Sequence, residues 1–172
     1  FLEIKKEREE IGYYSLPHTD ITNLKKELDS LDFKQKNIAI IGIGGSTLGT
    51  YAIYNFLKYH KQKNKSLKKE IFFFESTDPV NLNGTISQFD LEDTLFIVIS
   101  KSGTTIETIS IFKYLSSIIK MDKSNLLVIT ENDSKLNNFA KVNDIKTFDI
   151  PKNVGGRFSV LSNVGLVPLY LA

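Results

Sequence analysis

The sequence predicts an α/β protein: a three-layer αβα sandwich around a five-stranded parallel sheet in flavodoxin-like strand order. Three observations predict the sandwich and its parallel sheet, for which flavodoxin-like order is the expected arrangement. Five short apolar runs recur along the chain, NIAIIG (37–42), IFFFE (71–75), LFIVIS (95–100), NLLVIT (125–130) and IKTFDI (145–150). The first four are almost continuously apolar rather than alternating, which is how strands covered on both faces read. Helical segments of mixed polarity separate the runs, and strand–helix alternation builds βαβ units with a parallel sheet.

The elements follow in order. Residues 1–34 form a charged N-terminal arm that opens with KKEREEIGYY. Within it DITNLKKELDSL reads as a short helix with Asp20 as N-cap, and Ile21, Leu24, Leu28 and Leu31 share one face. That face packs on the body or on a partner. Residues 35–151 hold the five runs, with helices expected at 46–59, about 78–88, 104–120 and about 134–141. Residues 152–172 carry an arginine segment and the start of an apolar helix. The chain begins with Phe1, its single Met is Met121, and RFSVLSNVGLVPLYLA stops without a polar cap, so the expectation is a piece of a longer protein.

Composition narrows the function. The 172 residues are 41% apolar and 24% charged, an ordinary globular balance and about one domain's worth. Twenty-two basic and twenty acidic residues leave a net charge of +2, which offers no electrostatic footprint for nucleic acid or an anionic membrane. There is no cysteine, so disulfides, thiol nucleophiles and thiolate metal sites are excluded. The two histidines, His18 and His60, are far apart in sequence, and no metal site is expected. No apolar run approaches the roughly 18 residues of a membrane span, and no signal peptide is visible. The cytoplasm is the expected compartment.

Two loops carry the chemistry. GIGGSTLG, Gly42 to Gly49, follows the first strand and opens a helix expected near Ser46. Glycines allow close backbone approach, and the free N–H groups and dipole of a helix start favour an anion. Gly45 and Ser46 are the candidate ligands; the plainer reading is a tight turn that needs glycine only for packing. SKSGTTIET, Ser100 to Thr108, follows the third strand. Four hydroxyls, one Gly and one Lys fall within six residues: Ser100, Lys101, Ser102, Gly103, Thr104 and Thr105. A helix cap needs only one such residue. In flavodoxin-like order the first and third strands are neighbours, so both loops face the topological switch point, where ligands bind. Each helix terminus contributes about 0.3–1 kcal/mol toward an anion. Each charge-assisted hydrogen bond adds about 1.5–3 kcal/mol, so three or four suffice for a weak phosphoester site.

A dinucleotide site is the main rival. GIGGST supplies the first two glycines of G-x-G-x-x-G, but Thr47 takes the third position. Glu75, which ends the second run, stands where a ribose-binding acid belongs. A P-loop is excluded because no G-K-[ST] follows the glycines. A third element, NVGGRFSVLSNVGL from Asn153, places Arg157 after Gly155 and Gly156. A planar, always-charged group at a helix start suits an anion, although an arginine that merely snorkels fits the same pattern.

Taken together, GIGGSTLG, SKSGTTIET and VGGRFSVLSNVGL resemble, in order and spacing, the two phosphate loops and the active-site arginine segment of the glucose-6-phosphate isomerase family. The resemblance covers about residues 37–172 and departs at Lys152, where the family usually has an acidic or small polar residue. It implies a sugar isomerase (SIS) domain. It also implies that Gly45, Ser46 and Ser100 to Thr105 hold a sugar phosphate, with Ser100, Ser102 and Thr105 as the best side-chain donors. Arg157 would stand near the reacting carbons. The implied reaction interconverts glucose 6-phosphate and fructose 6-phosphate through a cis-enediol, without metal or organic cofactor. The family's proton-transferring glutamate, ring-opening histidine and C-terminal lysine lie beyond the arginine segment, and Glu107 is not assigned the base role. The 172-residue chain alone is expected to bind sugar phosphate weakly without turnover. The resemblance further implies a homodimer. Two alternatives stand beside it: a non-catalytic sugar-phosphate sensor, and a bifunctional glucose/mannose-6-phosphate isomerase.

Overall fold

The computed structural model describes residues 7, 10–61 and 68–172; most of the charged KKEREE opening lies outside them. Strands β1 (Asn37–Ile41), β2 (Glu70–Phe74), β3 (Thr94–Ile99), β4 (Leu126–Thr130) and β5 (Lys146–Asp149) form one sheet in the order β2-β1-β3-β4-β5. Every pairing is parallel. This is the expected flavodoxin-like order.

Alternate residues of each strand feed two cores. Ile38, Ile40, Leu95, Ile97, Ile99, Leu127 and Ile129 face one side; Ala39, Ile41, Phe96, Val98, Leu126 and Val128 face the other. All six residues of β3 are buried, which is why that run shows no polar alternation. Helices α1 (Thr22–Asp29), α2 (Leu48–Lys61) and α6 (Asn163–Leu171) cover the first face through Leu28, Tyr54, Val164 and Val167. Helices α3 (Pro79–Ile86), α4 (Ile106–Ile118) and α5 (Lys135–Val142) cover the second through Leu82, Ile111, Leu115, Leu136 and Ala140. The chain therefore winds to opposite sides from β1 and β3.

The arm packs on this body. Leu28 is 2% exposed, and Tyr170 of α6 donates to Asp29 at 2.8 Å. Its cap differs from the expectation. Ile21 is the N-cap of α1, and Asp20, one residue earlier, accepts from the Thr22 amide at 2.9 Å and its hydroxyl at 2.6 Å. An Asx turn thus precedes the helix, and Asp20 satisfies the amide of its first residue, Thr22. Pro168 lies inside α6 and cannot bond the Val164 carbonyl; the Thr50 hydroxyl of α2 reaches that carbonyl at 3.4 Å. Among the described residues, no helix is long and apolar enough to cross a membrane.

Candidate active site

The sheet brings the two loops level. Ile41 pairs with Val98, so β1 and β3 release the chain side by side, and a Cβ on Gly42 would stand 3.2 Å from the Ile99 carbonyl oxygen. Gly44 has φ +58°, a left-handed turn that favours glycine. Gly44–Ser46 then winds as a short 3-10 turn and α2 begins at Leu48, two residues later than the helix start expected near Ser46. Thr47 is fully buried beneath this turn. Its hydroxyl meets the Gly44 carbonyl oxygen at 3.3 Å and donates to the Glu75 carboxylate. The acid that a dinucleotide site would aim at a ribose is here bonded to the first loop.

The second loop is held from below. Ser100 is 1% exposed; its hydroxyl donates to Thr105 Oγ1 at 3.1 Å, and its carbonyl accepts from Thr130 Oγ1 at 2.6 Å. Gly103 has φ +66°, and a Cβ there would come within 2.8 Å of Ser134 Cβ. Two independent constraints therefore require glycine. Thr104 donates from its amide and hydroxyl to Ser102 Oγ at 3.2 and 3.0 Å. Thr105 is the N-cap of α4 but makes no side-chain cap bond. The first-turn amides of a 13-residue helix thus stay available to a ligand beside that hydroxyl.

The third element closes against the first. Gly156–Phe158 is a 3-10 turn, and a Cβ on Gly45 would overlap the Gly156 carbonyl. Ser159 donates to the Gly156 carbonyl at 2.6 Å and meets the Gly45 carbonyl at 3.4 Å. A Cβ on Gly49 would stand 2.7 Å from Val160 Cβ. From the arm, the Gly12 amide donates to the Asn153 carbonyl at 3.1 Å, and the Tyr13 and Phe158 rings pack at 4.6 Å.

Between these elements lies a cleft of about 300 Å³ lined by Ile43, Gly45, Ser46, Lys101, Ser102, Thr105, Glu131 and Gly156. It gathers Gly45, Ser46, Lys101, Ser102 and Thr105. Ser100 lies beneath it and reaches it only through Thr105. Gly103 and Thr104 instead border a larger, mostly apolar groove of about 830 Å³ between α4 and α5. That groove runs along the flank of α4, whereas the smaller cleft lies at the ends of β1 and β3 and draws on both loops. Arg157 is exposed and adjoins the cleft through Gly156.

Charge inside the cleft comes from a pair that the loop pattern only half reveals. Glu131, directly after β4, was not among the expected site residues; its position past the carboxyl end of a strand is the signal that points to it. Its carboxylate lies 3.4 Å from Lys101 Nζ. That ammonium also donates to the carbonyls of Lys152 and Val154 at 2.8 and 2.9 Å. Lys152, the departure from the family pattern, pairs with Asp133 at 2.7 Å. Hydrogen bonding between the two holds the Asp133 carboxyl below its ordinary range and the Lys152 ammonium above its own. Among the described residues, no group of three His, Cys, Asp or Glu is placed to hold a metal ion.

Comparison with known proteins shows the family to which the chain is related. A family model described as phosphoglucose isomerase matches residues 27–172. The chain is 41% identical over 166 residues to glucose-6-phosphate isomerase of Campylobacter jejuni, covering 93% of this chain and 40% of that one. It is 36% identical over 173 residues to the probable glucose-6-phosphate isomerase of Methanococcus maripaludis, covering 98% and 39%. Among solved structures, a glucose-6-phosphate isomerase from Chlamydia trachomatis superposes with a TM-score of 0.73 at 32% identity, covering 87% of this chain and 29% of that one. The chain thus spans about 40% of the length of the curated relatives it matches.

Proposed function

The chain belongs to the phosphoglucose isomerase family, and from that premise we propose that it is the phosphate-binding part of a glucose-6-phosphate isomerase. The observation that carries this reading is the convergence of Ser46 with Ser102 and Thr105 on one cleft, at the ends of adjacent strands. Hydroxyls from two loops and the free amides at the start of α4 suit a phosphate dianion.

The work of each residue follows from its chemistry. Ser46, Ser102 and Thr105 donate to phosphate oxygens, with amides from Gly45 and the start of α4. Ser100 orients Thr105. Gly103 supplies the turn that lets Thr104 and Ser102 bond each other. Anchoring the phosphate fixes the far end of the sugar, so that C1 and C2 are presented rather than searched for. In the isomerisation a proton leaves C2 and returns to C1, while the oxygens on those carbons exchange carbonyl and hydroxyl character. Negative charge grows on oxygen in the enediolate, and the Arg157 guanidinium is the group that stabilises it. The family resemblance assigns the proton transfers to residues following the arginine segment.

As part of the same proposal, the complete protein is a homodimer acting in the cytoplasm. The dimer rests on the resemblance; the compartment follows from a charged substrate that does not cross membranes unaided.

The test is a coupled assay on the full-length protein together with calorimetry on the 172-residue chain. Full-length protein should interconvert glucose 6-phosphate and fructose 6-phosphate. The chain alone should bind glucose 6-phosphate weakly, leave NAD unbound and show no turnover. Tight NAD binding, or no response to any sugar phosphate, would overturn the reading.

A further inference from the structure

We infer that the Lys101 side chain is a positioning group for the Arg157 turn rather than a ligand of the phosphate. The inference rests on the reading of the cleft just proposed and sharpens the role of one of its residues.

An ammonium has three donors and no acceptor. At Lys101 the Lys152 carbonyl lies at 2.8 Å, the Val154 carbonyl at 2.9 Å and the Glu131 carboxylate at 3.4 Å. Two donors are thus bonded to carbonyls, and the Glu131 carboxylate forms an ion pair with the same head group. Glu131 also offsets its charge, so little net attraction remains for an anion in the cleft. Lys101 therefore stands in a phosphate loop while its head group is committed elsewhere.

What it holds is the chain leading to Arg157. Val154 is fully buried, and its amide bonds the Pro151 carbonyl at 3.0 Å. Gly155 and Gly156 come next. Two glycines give a turn little stiffness of its own, so its placement depends on what grips its ends. Ser159 grips the far end through the Gly156 carbonyl. Lys101 grips the near end from the sheet side, and the Gly12 amide grips Asn153 from the arm side. The Lys101 ammonium is thus a strut from the end of β3 to the arginine turn. It couples the loop that would anchor the phosphate to the residue that would meet the enediolate.

The experiment compares Lys101→Met, which keeps the stem and removes the donors, with Lys101→Arg. In the full-length protein Lys101→Met should lower kcat by about 10-fold or more, the scale of a small misplacement of a catalytic group. KM for glucose 6-phosphate and inhibition by inorganic phosphate should stay within about 2-fold. On an Arg157→Ala background the same change should cost less than about 2-fold, because the group being positioned is gone. Lys101→Arg should recover part of kcat. In the 172-residue chain, amides of 154–158 should exchange faster in Lys101→Met while those of 102–105 do not. Weakened phosphate inhibition with kcat retained, losses that multiply with Arg157→Ala, or unchanged exchange at 154–158 would each overturn the inference. If wild-type protein has no isomerase activity, the proposed function falls, and the exchange measurement still decides whether the strut exists. Should Lys101→Met fail to fold, Lys101→Gln, which keeps one donor pair, carries the same readouts.

Discussion

Gly45 and Gly156 meet backbone to backbone: a Cβ on Gly45 would overlap the Gly156 carbonyl and come within 2.8 Å of the Arg157 amide nitrogen. The Gly42–Gly49 loop and the arginine turn are therefore one surface, not two neighbours. Gly45→Ala must push them apart. We expect it to cost about 1–3 kcal/mol of stability, the range for overpacking. It should also cost the full-length protein more in kcat than in KM, because the arginine turn moves relative to the anchored sugar. Denaturant unfolding and steady-state kinetics check both parts.

Ser102 and Thr105 bring their hydroxyls to the same cleft. The double variant Ser102→Ala, Thr105→Ala should weaken glucose 6-phosphate binding by about 2–4 kcal/mol if each change removes one bond to a charged acceptor. Calorimetry on the 172-residue chain reads this directly. An unchanged dissociation constant would mean that the second loop does not hold the phosphate.

Arg157 is expected to act in the transition state. Arg157→Lys should lower kcat of the full-length protein about 10²–10³-fold, as losing one oriented stabiliser does, with KM changed little. Lysine keeps a charge but not the planar fork, so it should not rescue. A large rise in KM with kcat intact would make Arg157 a substrate-binding group instead.

Two left-handed glycines separate backbone strain from crowding. At Gly44, φ is +58° and nothing lies within 4 Å of an added Cβ. Gly44→Ala should therefore cost only the roughly 1–2 kcal/mol of a left-handed alanine. At Gly103, φ is +66° and Ser134 and Leu136 leave no room. Gly103→Ala should cost clearly more, measured by the same unfolding titration. Equal costs would mean that the β4–α5 turn yields freely, and the second loop would then be less fixed than described.

The fold was legible where burial was symmetric. Leu95 to Ile99 are buried on both faces of the central strand, so the run reads as apolar without alternation. At the sheet edge, β5 keeps only Phe148 buried among Lys146, Thr147 and Asp149, and its signal was correspondingly thin. The two loops were legible because glycine and hydroxyl residues crowd the ends of two neighbouring strands. Side-chain direction was not. Lys101 reads from its neighbours as a phosphate cation, yet its nearest partners are carbonyls more than 50 residues away in sequence. Glu131 carries only a weak signal, its position past the carboxyl end of β4, because no motif surrounds that single acid. The late start of α2 is a backbone effect: a 3-10 turn at Gly44–Ser46 intervenes before Leu48. Docking of the arm on Asn153 through a Gly12 amide carries no sequence signature at all.

The most direct measurement is a crystal structure of the 172-residue chain with glucose 6-phosphate bound. Phosphate oxygens should lie within hydrogen-bond distance of Ser46, Ser102 and Thr105, with the sugar extending toward Arg157. A phosphate lodged in the groove between α4 and α5, or bonded chiefly to the Lys101 ammonium with Ser46 and Thr105 unengaged, would contradict it.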